Sequence, residues 1–215
     1  MFQTLTAADG HTFDCWIEPA QGPRRGGLVV LQEIFGVTGQ LQGVARRYAA
    51  RGLEVAIPAL FDRQERGAVI PFDQAPRGRD LMLGASVQGA MLDIAACAAA
   101  LGGKVGVMGF CWGGGLALRA AQEPGIACAV LFYGTRLGNY LEYPLLSPVQ
   151  GHFGLRDDHT PPEVLAEVQA RFPAVEFHLY EAGHAFANEQ RPSFVPQAAA
   201  LAHQRAEAFL RKSLA

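Results

Sequence analysis

Lys104-Val105-Gly106-Val107-Met108-Gly109-Phe110-Cys111-Trp112-Gly113-Gly114-Gly115 is the stretch that decides the fold. Residues 104–108 form a short apolar run that reads as a buried strand, and 113–122 read as a helix. Cys111 therefore falls on a strand-to-helix turn, a G-x-S-x-G nucleophile elbow with Cys in place of Ser. So tight a turn forces its central residue into a strained backbone conformation. Its neighbours must lack side chains, as Gly109 and Gly113 do. The new helix turns its positive N-terminal end toward the sulfur, which favours a thiolate and then an oxyanion. The backbone N–H of Trp112 is the natural oxyanion donor. The plain alternative is a buried core cysteine beside a Gly-rich turn; strand, elbow and helix in succession favour the nucleophile. A phosphate loop is the poorer reading, because no Gly-Lys-Ser/Thr comes after it.

Outward from the elbow, apolar runs alternate with helical patterns. This predicts an α/β fold with a mostly parallel sheet flanked by helices. Strands are expected over 11–17, 27–31, 53–57, 104–108, 128–133, 149–153 and 175–180. Helices are expected over 40–51, 80–101, 113–122, 162–171 and 194–210. Residues 61–79, with Gly67, Pro71, Pro76 and Gly78, read as the longest irregular stretch, of the kind that often covers a site. The expectation is a single domain spanning 1–215, without repeats or linkers.

In a fold of this type, the α/β-hydrolase fold, the acid and then a histidine come after the nucleophile in chain order. The strand at 175–180 leads into Glu181-Ala182-Gly183-His184, and His184 is the candidate base. Its imidazole would pair with the thiol while a carboxylate on its other nitrogen fixes the tautomer. Histidines 11, 152, 159, 178 and 203 have no such context. The strand at 149–153 leads into Asp157-Asp158, and position alone does not choose between these two. One of them could instead cap the helix near Pro162.

Bulk composition restricts the remaining possibilities. The chain has 215 residues, half of them hydrophobic, with a formal net charge of −2. That is globular composition with no electrostatic case for nucleic acid. Arg24-Arg25 and Arg46-Arg47 read as solvated surface. No apolar run reaches the roughly 18 residues of a membrane span, and the first residues do not resemble a secretory signal. Cys15, Cys97, Cys111 and Cys128 lack metal-like spacing. A cytoplasmic chain with reduced thiols is expected, without metal or cofactor, as a monomer or small homo-oligomer.

Together these motifs resemble the dienelactone hydrolase family over nearly the whole chain. The resemblance rests on Gln32-Glu33-Ile34-Phe35-Gly36, Pro58-Ala59-Leu60-Phe61 with Arg63-Gln64, Gly109-Phe110-Cys111-Trp112-Gly113-Gly114, Tyr133-Gly134, His152-Phe153-Gly154 with Asp157 and Pro161, and Glu181-Ala182-Gly183-His184. It implies that Asp157, not Asp158, is the acid. It also implies that Glu33 holds the resting thiol and helps convert it to thiolate, and that Ile34 supplies a second oxyanion amide. Arg63 matches the arginine that grips the substrate carboxylate, for which two parallel hydrogen bonds suit a guanidinium. Tyr133 and Asn188 match substrate-site positions. Asn188 stands where the family's second carboxylate-binding arginine lies, with Arg191 nearby.

The expected activity is opening of a small carboxylate-bearing lactone through a cysteine acyl-enzyme. A broader esterase or thioesterase for small acyl substrates is the alternative within the same chemistry. A non-catalytic or thiol-redox protein on the same scaffold is the alternative outside it; such a protein would form a sulfenic acid or disulfide at Cys111, and no acyl intermediate.

Overall fold

The computed structural model describes residues 1–215. By internal contacts the chain divides into two compact units, Met1–Val105 and Gly106–Ala215.

The first unit holds β1 (Phe2–Thr6), β2 (Thr12–Glu18), β3 (Gly26–Leu31), α1 (Gly39–Ala49), β4 (Leu53–Pro58), a 3-10 turn at Phe72–Gln74, α2 (Ala75–Gly84) and α3 (Val87–Leu101). Its strands run in the order β1-β2-β4-β3. β1 and β2 are antiparallel, with Phe2 opposite Trp16, and β2 is antiparallel to β4. β3 and β4 are parallel, with Leu28 opposite Val55. Every residue of β3 is buried. That explains its uninterrupted Leu-Val-Val-Leu run, since a strand covered on both faces does not alternate. α1 begins at Thr38, whose hydroxyl accepts from the Leu41 N–H at 3.2 Å, and it buries Leu41, Val44, Ala45 and Tyr48.

Three sequence expectations change in this unit. β1 was not foreseen: nearly all its residues are exposed, so Phe2-Gln3-Thr4-Leu5-Thr6 carries no inward-outward pattern. The helix expected over 80–101 is two helices, α2 and α3, bent by 90°. The break comes where Ala85 is extended and the Ser86 hydroxyl accepts from the Gly89 N–H at 3.2 Å, starting a new helix. The stretch 61–79 is not wholly irregular either. Pro76 lies in the first turn of α2, where its missing N–H has no helical partner to lose, so it starts a helix instead of breaking one.

The second unit holds β5 (Val105–Phe110, less its first residue), α4 (Trp112–Ala120), β6 (Ile126–Phe132), a 3-10 turn at Leu137–Tyr140, β7 (Val149–Arg156), α5 (Pro162–Arg171), β8 (Glu176–Gly183) and α6 (Pro196–Ser213). The strand order is β5-β6-β7-β8. β6, β7 and β8 are parallel, with Phe132 opposite His152 and His152 opposite His178. The β7–β8 register shifts between Gly154 and Arg156, immediately before Asp157. Such an irregularity bends a strand and re-aims the side chains beyond it. Gly154 permits it, because a Cβ there would lie 2.4 Å from the Ala182 carbonyl oxygen. No single helix in the chain is long and apolar enough to cross a membrane.

Candidate active site

Cys111 is the one residue between β5 and α4, and its backbone has φ 55° and ψ −116°. A non-glycine residue rarely adopts such a conformation, and it persists only where surrounding bonds impose it. Here they do. The Cys111 N–H donates to the Phe132 carbonyl at 3.0 Å, and its own carbonyl accepts from Gly114 and Thr135 N–H at 2.9 and 3.0 Å. Steric contact makes glycine obligatory around it. A Cβ on Gly109 would lie 1.8 Å from the Gly113 carbonyl oxygen, and one on Gly114 would lie 2.5 Å from the Gly134 Cα.

β7 ends beside Asp157 and β8 ends beside His184, so two adjacent parallel strands deliver both side chains at the same end. His184 Nδ1–H donates to both Asp157 carboxylate oxygens, at 2.9 and 3.0 Å. The Asp157 side chain is fully buried and that of His184 is 17 % exposed. Its neighbour Asp158 is exposed and does not pair with the imidazole. The Asp157 bond leaves the other ring nitrogen, Nε2, for the side-chain hydrogen bond between His184 and Cys111. Burial pulls the His184 pKa down. The hydrogen bonds to Asp157 and Cys111, with their charges, outweigh it and raise the pKa from 6.5 to about 10. The imidazole therefore holds its proton through neutral pH.

Two rings flank the imidazole. Tyr133, fully buried and with φ 39°, stands edge-on to it at 5.2 Å between centroids. His159 lies at 4.3 Å, tilted by 55°. The Asp157–Thr160 turn is itself pinned. Asp157 Oδ1 accepts from the His159 N–H at 2.9 Å, and Thr160 Oγ1 donates to the Gly134 carbonyl at 2.7 Å. His159 had no signal in the sequence, being a loop histidine without a motif around it. Only the turn geometry brings its ring onto His184.

The structure thus brings together Cys111, Asp157, His184 and Tyr133 in the second unit, with Trp112 opening α4 next to the sulfur-bearing residue. Asn188 is also in this unit. It is fully buried, and its side-chain oxygen accepts from the Gln190 N–H at 3.0 Å. Arg191 belongs to the same turn, its N–H donating to the Asn188 carbonyl at 3.0 Å.

Glu33, Ile34 and Arg63 belong to the first unit. Glu33 lies just after β3 and is only 7 % exposed. Its loop is held from both sides. The Leu60 N–H donates to Gln32 Oε1 at 3.1 Å, and the Ile70 N–H donates to the Phe35 carbonyl at 3.0 Å. A Cβ on Gly78 would lie 2.0 Å from the Ile34 carbonyl oxygen, and one on Gly36 would lie 2.1 Å from that of Ala68. The segment expected to be irregular is therefore seated against the Glu33 loop. Arg63 is engaged with protein carboxylates. Its Nε and Nη2 donate to Asp93 at 2.9 and 2.8 Å, and its Nη1 and Nη2 donate to Asp9 at 2.7 and 3.3 Å. Burial raises the Asp93 pKa and the bonds from Arg63 oppose that rise, whereas the Arg63 hydrogen bonds hold exposed Asp9 down at about 2.

A strand–elbow–helix turn, then an acid and a histidine in order at the ends of later parallel strands, defines a carboxylic ester hydrolase of the α/β-hydrolase fold. Residues 13–214 match the model of the dienelactone hydrolase family. The chain is 31% identical to a carboxymethylenebutenolidase of Pseudomonas putida, covering 96% of this chain and 94% of that one. It is 32% identical to a carboxymethylenebutenolidase of Pseudomonas sp. strain P51, covering 97% and 94%. A solved structure from Klebsiella pneumoniae assigned as a dienelactone hydrolase superposes with a TM-score of 0.83 at 26% identity, covering 97% of each chain. An esterase of Pyrococcus furiosus, at 16% identity and a TM-score of 0.73 over 100% of this chain and 93% of its own, shares the fold. The chain belongs to the dienelactone hydrolase family.

Proposed function

We propose that the protein hydrolyses a small lactone or ester by acyl transfer to Cys111, and that the lactone carries a carboxylate. The observation that carries this reading is the doubly bonded imidazole, with Asp157 on one nitrogen of His184 and Cys111 on the other side of the ring. Sulfur attacks the carbonyl carbon, and the carbonyl oxygen takes the negative charge beside the Trp112 amide at the start of α4. The carbon–oxygen bond of the ester then breaks. His184 gives its proton to the leaving alkoxide, which in a lactone stays attached to the acyl group. Water, losing a proton to His184, attacks the thioester, and the carboxylic acid leaves as the thiolate is restored. Tyr133 flanks the imidazole throughout. The family resemblance assigns the second oxyanion amide to Ile34 and the activation of the thiol to Glu33. A free thiol persists most readily in a reducing compartment, which fits a cytoplasmic enzyme acting as one hydrolase domain.

A specific observation favours a second reading of the substrate. Arg63, the expected clamp for a substrate carboxylate, already makes four hydrogen bonds to Asp9 and Asp93. Asn188 supplies no second cation. Both features favour a broader range of small neutral esters or thioesters acting through the same three residues.

Steady-state hydrolysis of a carboxylate-bearing dienelactone and of p-nitrophenyl acetate, by wild type, Cys111→Ala and Arg63→Ala, tests the proposal. Dienelactone turnover lost in both variants supports the anionic lactone. Ester turnover that needs Cys111 but not Arg63, with no lactone turnover, supports the broader esterase. Turnover that survives Cys111→Ala overturns both.

A further inference from the structure

The geometry points to His159 as a positioning residue for the His184–Asp157 pair, acting on both of its members from one turn. This rests on the reading of Cys111, Asp157 and His184 as the reacting residues.

Two independent contacts support it. Through its backbone, His159 donates its N–H to Asp157 Oδ1 at 2.9 Å, one of the two oxygens that also accept from His184. Through its side chain, it lays its ring against the imidazole of His184, with centroids 4.3 Å apart. Tyr133 stands edge-on at 5.2 Å, so His184 is placed by aromatic rings as well as by its hydrogen bonds. The turn carrying His159 is anchored in turn. The Thr160 N–H donates to the Asp157 carbonyl at 3.3 Å, and Thr160 Oγ1 donates to the carbonyl of Gly134, the residue after Tyr133. Asp157, His159, Tyr133 and His184 thereby form a closed set in which each restrains another.

The physical need is plain. An imidazole held only by one carboxylate can still swing about its side-chain bonds. A misplacement of about 1 Å costs on the order of a hundredfold in rate. A ring packed against one face restricts that swing, and a tilted aromatic contact of this kind is worth a factor of about five. His159 is itself exposed. Truncating its side chain therefore opens no cavity in the core.

The test compares wild type, His159→Ala, His159→Phe and Cys111→Ala on p-nitrophenyl acetate. It pairs kcat and KM with the NMR resonance of the His184 imidazole proton shared with Asp157. The expected result for His159→Ala is a kcat lowered about fivefold to tenfold with KM within about twofold, together with a shifted or broadened imidazole resonance. His159→Phe, which keeps a ring in place, restores kcat to within about twofold of wild type. Two results overturn the proposal. One is a His159→Ala enzyme with wild-type kcat and an unmoved resonance. The other is a His159→Phe enzyme as impaired as His159→Ala, which would assign the effect to the imidazole nitrogens and not to packing. Retained turnover in Cys111→Ala would instead overturn the underlying reading, and the resonance would still report on His159.

Discussion

Two clusters in this molecule hold a cation between carboxylate and partner, and they differ in what they leave available. Around His184, one nitrogen is fixed by Asp157 while the other side of the ring pairs with Cys111, a side chain only partly buried on a strained turn. Around Arg63, two carboxylates fill the guanidinium. One is the fully buried side chain of Asp93 and the other is Asp9 from the β1–β2 turn. Gly89 of α3 is kept small beneath it, since a Cβ there would approach the Arg63 side chain to 2.9 Å. In the proposed cycle the first arrangement carries the reaction. The second ties the loop after β4 to α3 and to the N-terminal hairpin, and a ligand carboxylate must compete with two built-in ones. The same residue type at a motif position can thus be reserved for substrate or used by the fold, and only its partners tell which.

The largest expected effects fall on the first cluster. Cys111→Ala lowers kcat/KM for p-nitrophenyl acetate by at least about 10³-fold without loss of folded structure, checked by circular dichroism, because it removes the proposed nucleophile. Asp157→Asn lowers kcat by about 10³- to 10⁴-fold with KM little changed, since it frees the wrong tautomer of His184. It also removes a bond that raises the imidazole pKa, so the pKa falls from about 10 toward 6.5, measurable by NMR titration.

The second cluster responds in stability. Arg63→Ala destabilises the protein by about 3 kcal/mol in urea unfolding, because it leaves the Asp93 carboxylate buried without its partner. Removing Asp93 as well, in Arg63→Ala/Asp93→Ala, costs less than the sum of the two single changes. If Arg63 is instead reserved for substrate, Arg63→Ala leaves stability within about 0.5 kcal/mol and raises KM for anionic substrates alone.

The remaining effect is the pH dependence of the first cluster. His184 has a folded pKa of about 10, above its ordinary 6.5. Its contribution to stability is complete below 6.5 and is lost as pH rises through about 10. kcat falls over the same alkaline range as the imidazole loses the proton it gives to the leaving group, and the limb moves to lower pH in Asp157→Asn.

The features legible in the sequence are those whose constraints are local. The elbow was legible because strand, glycines and helix are contiguous; Gly109, read as obligatory, relieves a contact that a Cβ would bring under 3 Å, and so do Gly114 and Gly115, which the sequence reading did not single out. Asp157 and His184 were legible by chain order, but the choice of Asp157 over Asp158 needed the family resemblance. The register shift at Gly154–Arg156 shows why, since strand geometry there is not regular. β1 was hidden because its exposed side chains carry no alternation. The α2–α3 break was hidden because Leu81-Met82-Leu83 continues an apolar pattern across a cap made by a single hydroxyl. His159 and the Asp9–Arg63–Asp93 cluster were hidden for another reason. Each depends on residues far apart in sequence or on a turn whose side-chain direction no local pattern fixes. Arg63 and Asp93 are 30 positions apart, and Arg63 and Asp9 are 54 apart.

In the proposed cycle Cys111 carries the acyl group. Rapid mixing with p-nitrophenyl acetate, acid quenching and peptide mass analysis address it directly. The expected result is a burst of p-nitrophenol matched by acetylation of the peptide containing Cys111, with both absent in Cys111→Ala. Full steady-state turnover with no acetyl group on Cys111, or with the acetyl group on another residue, would contradict it.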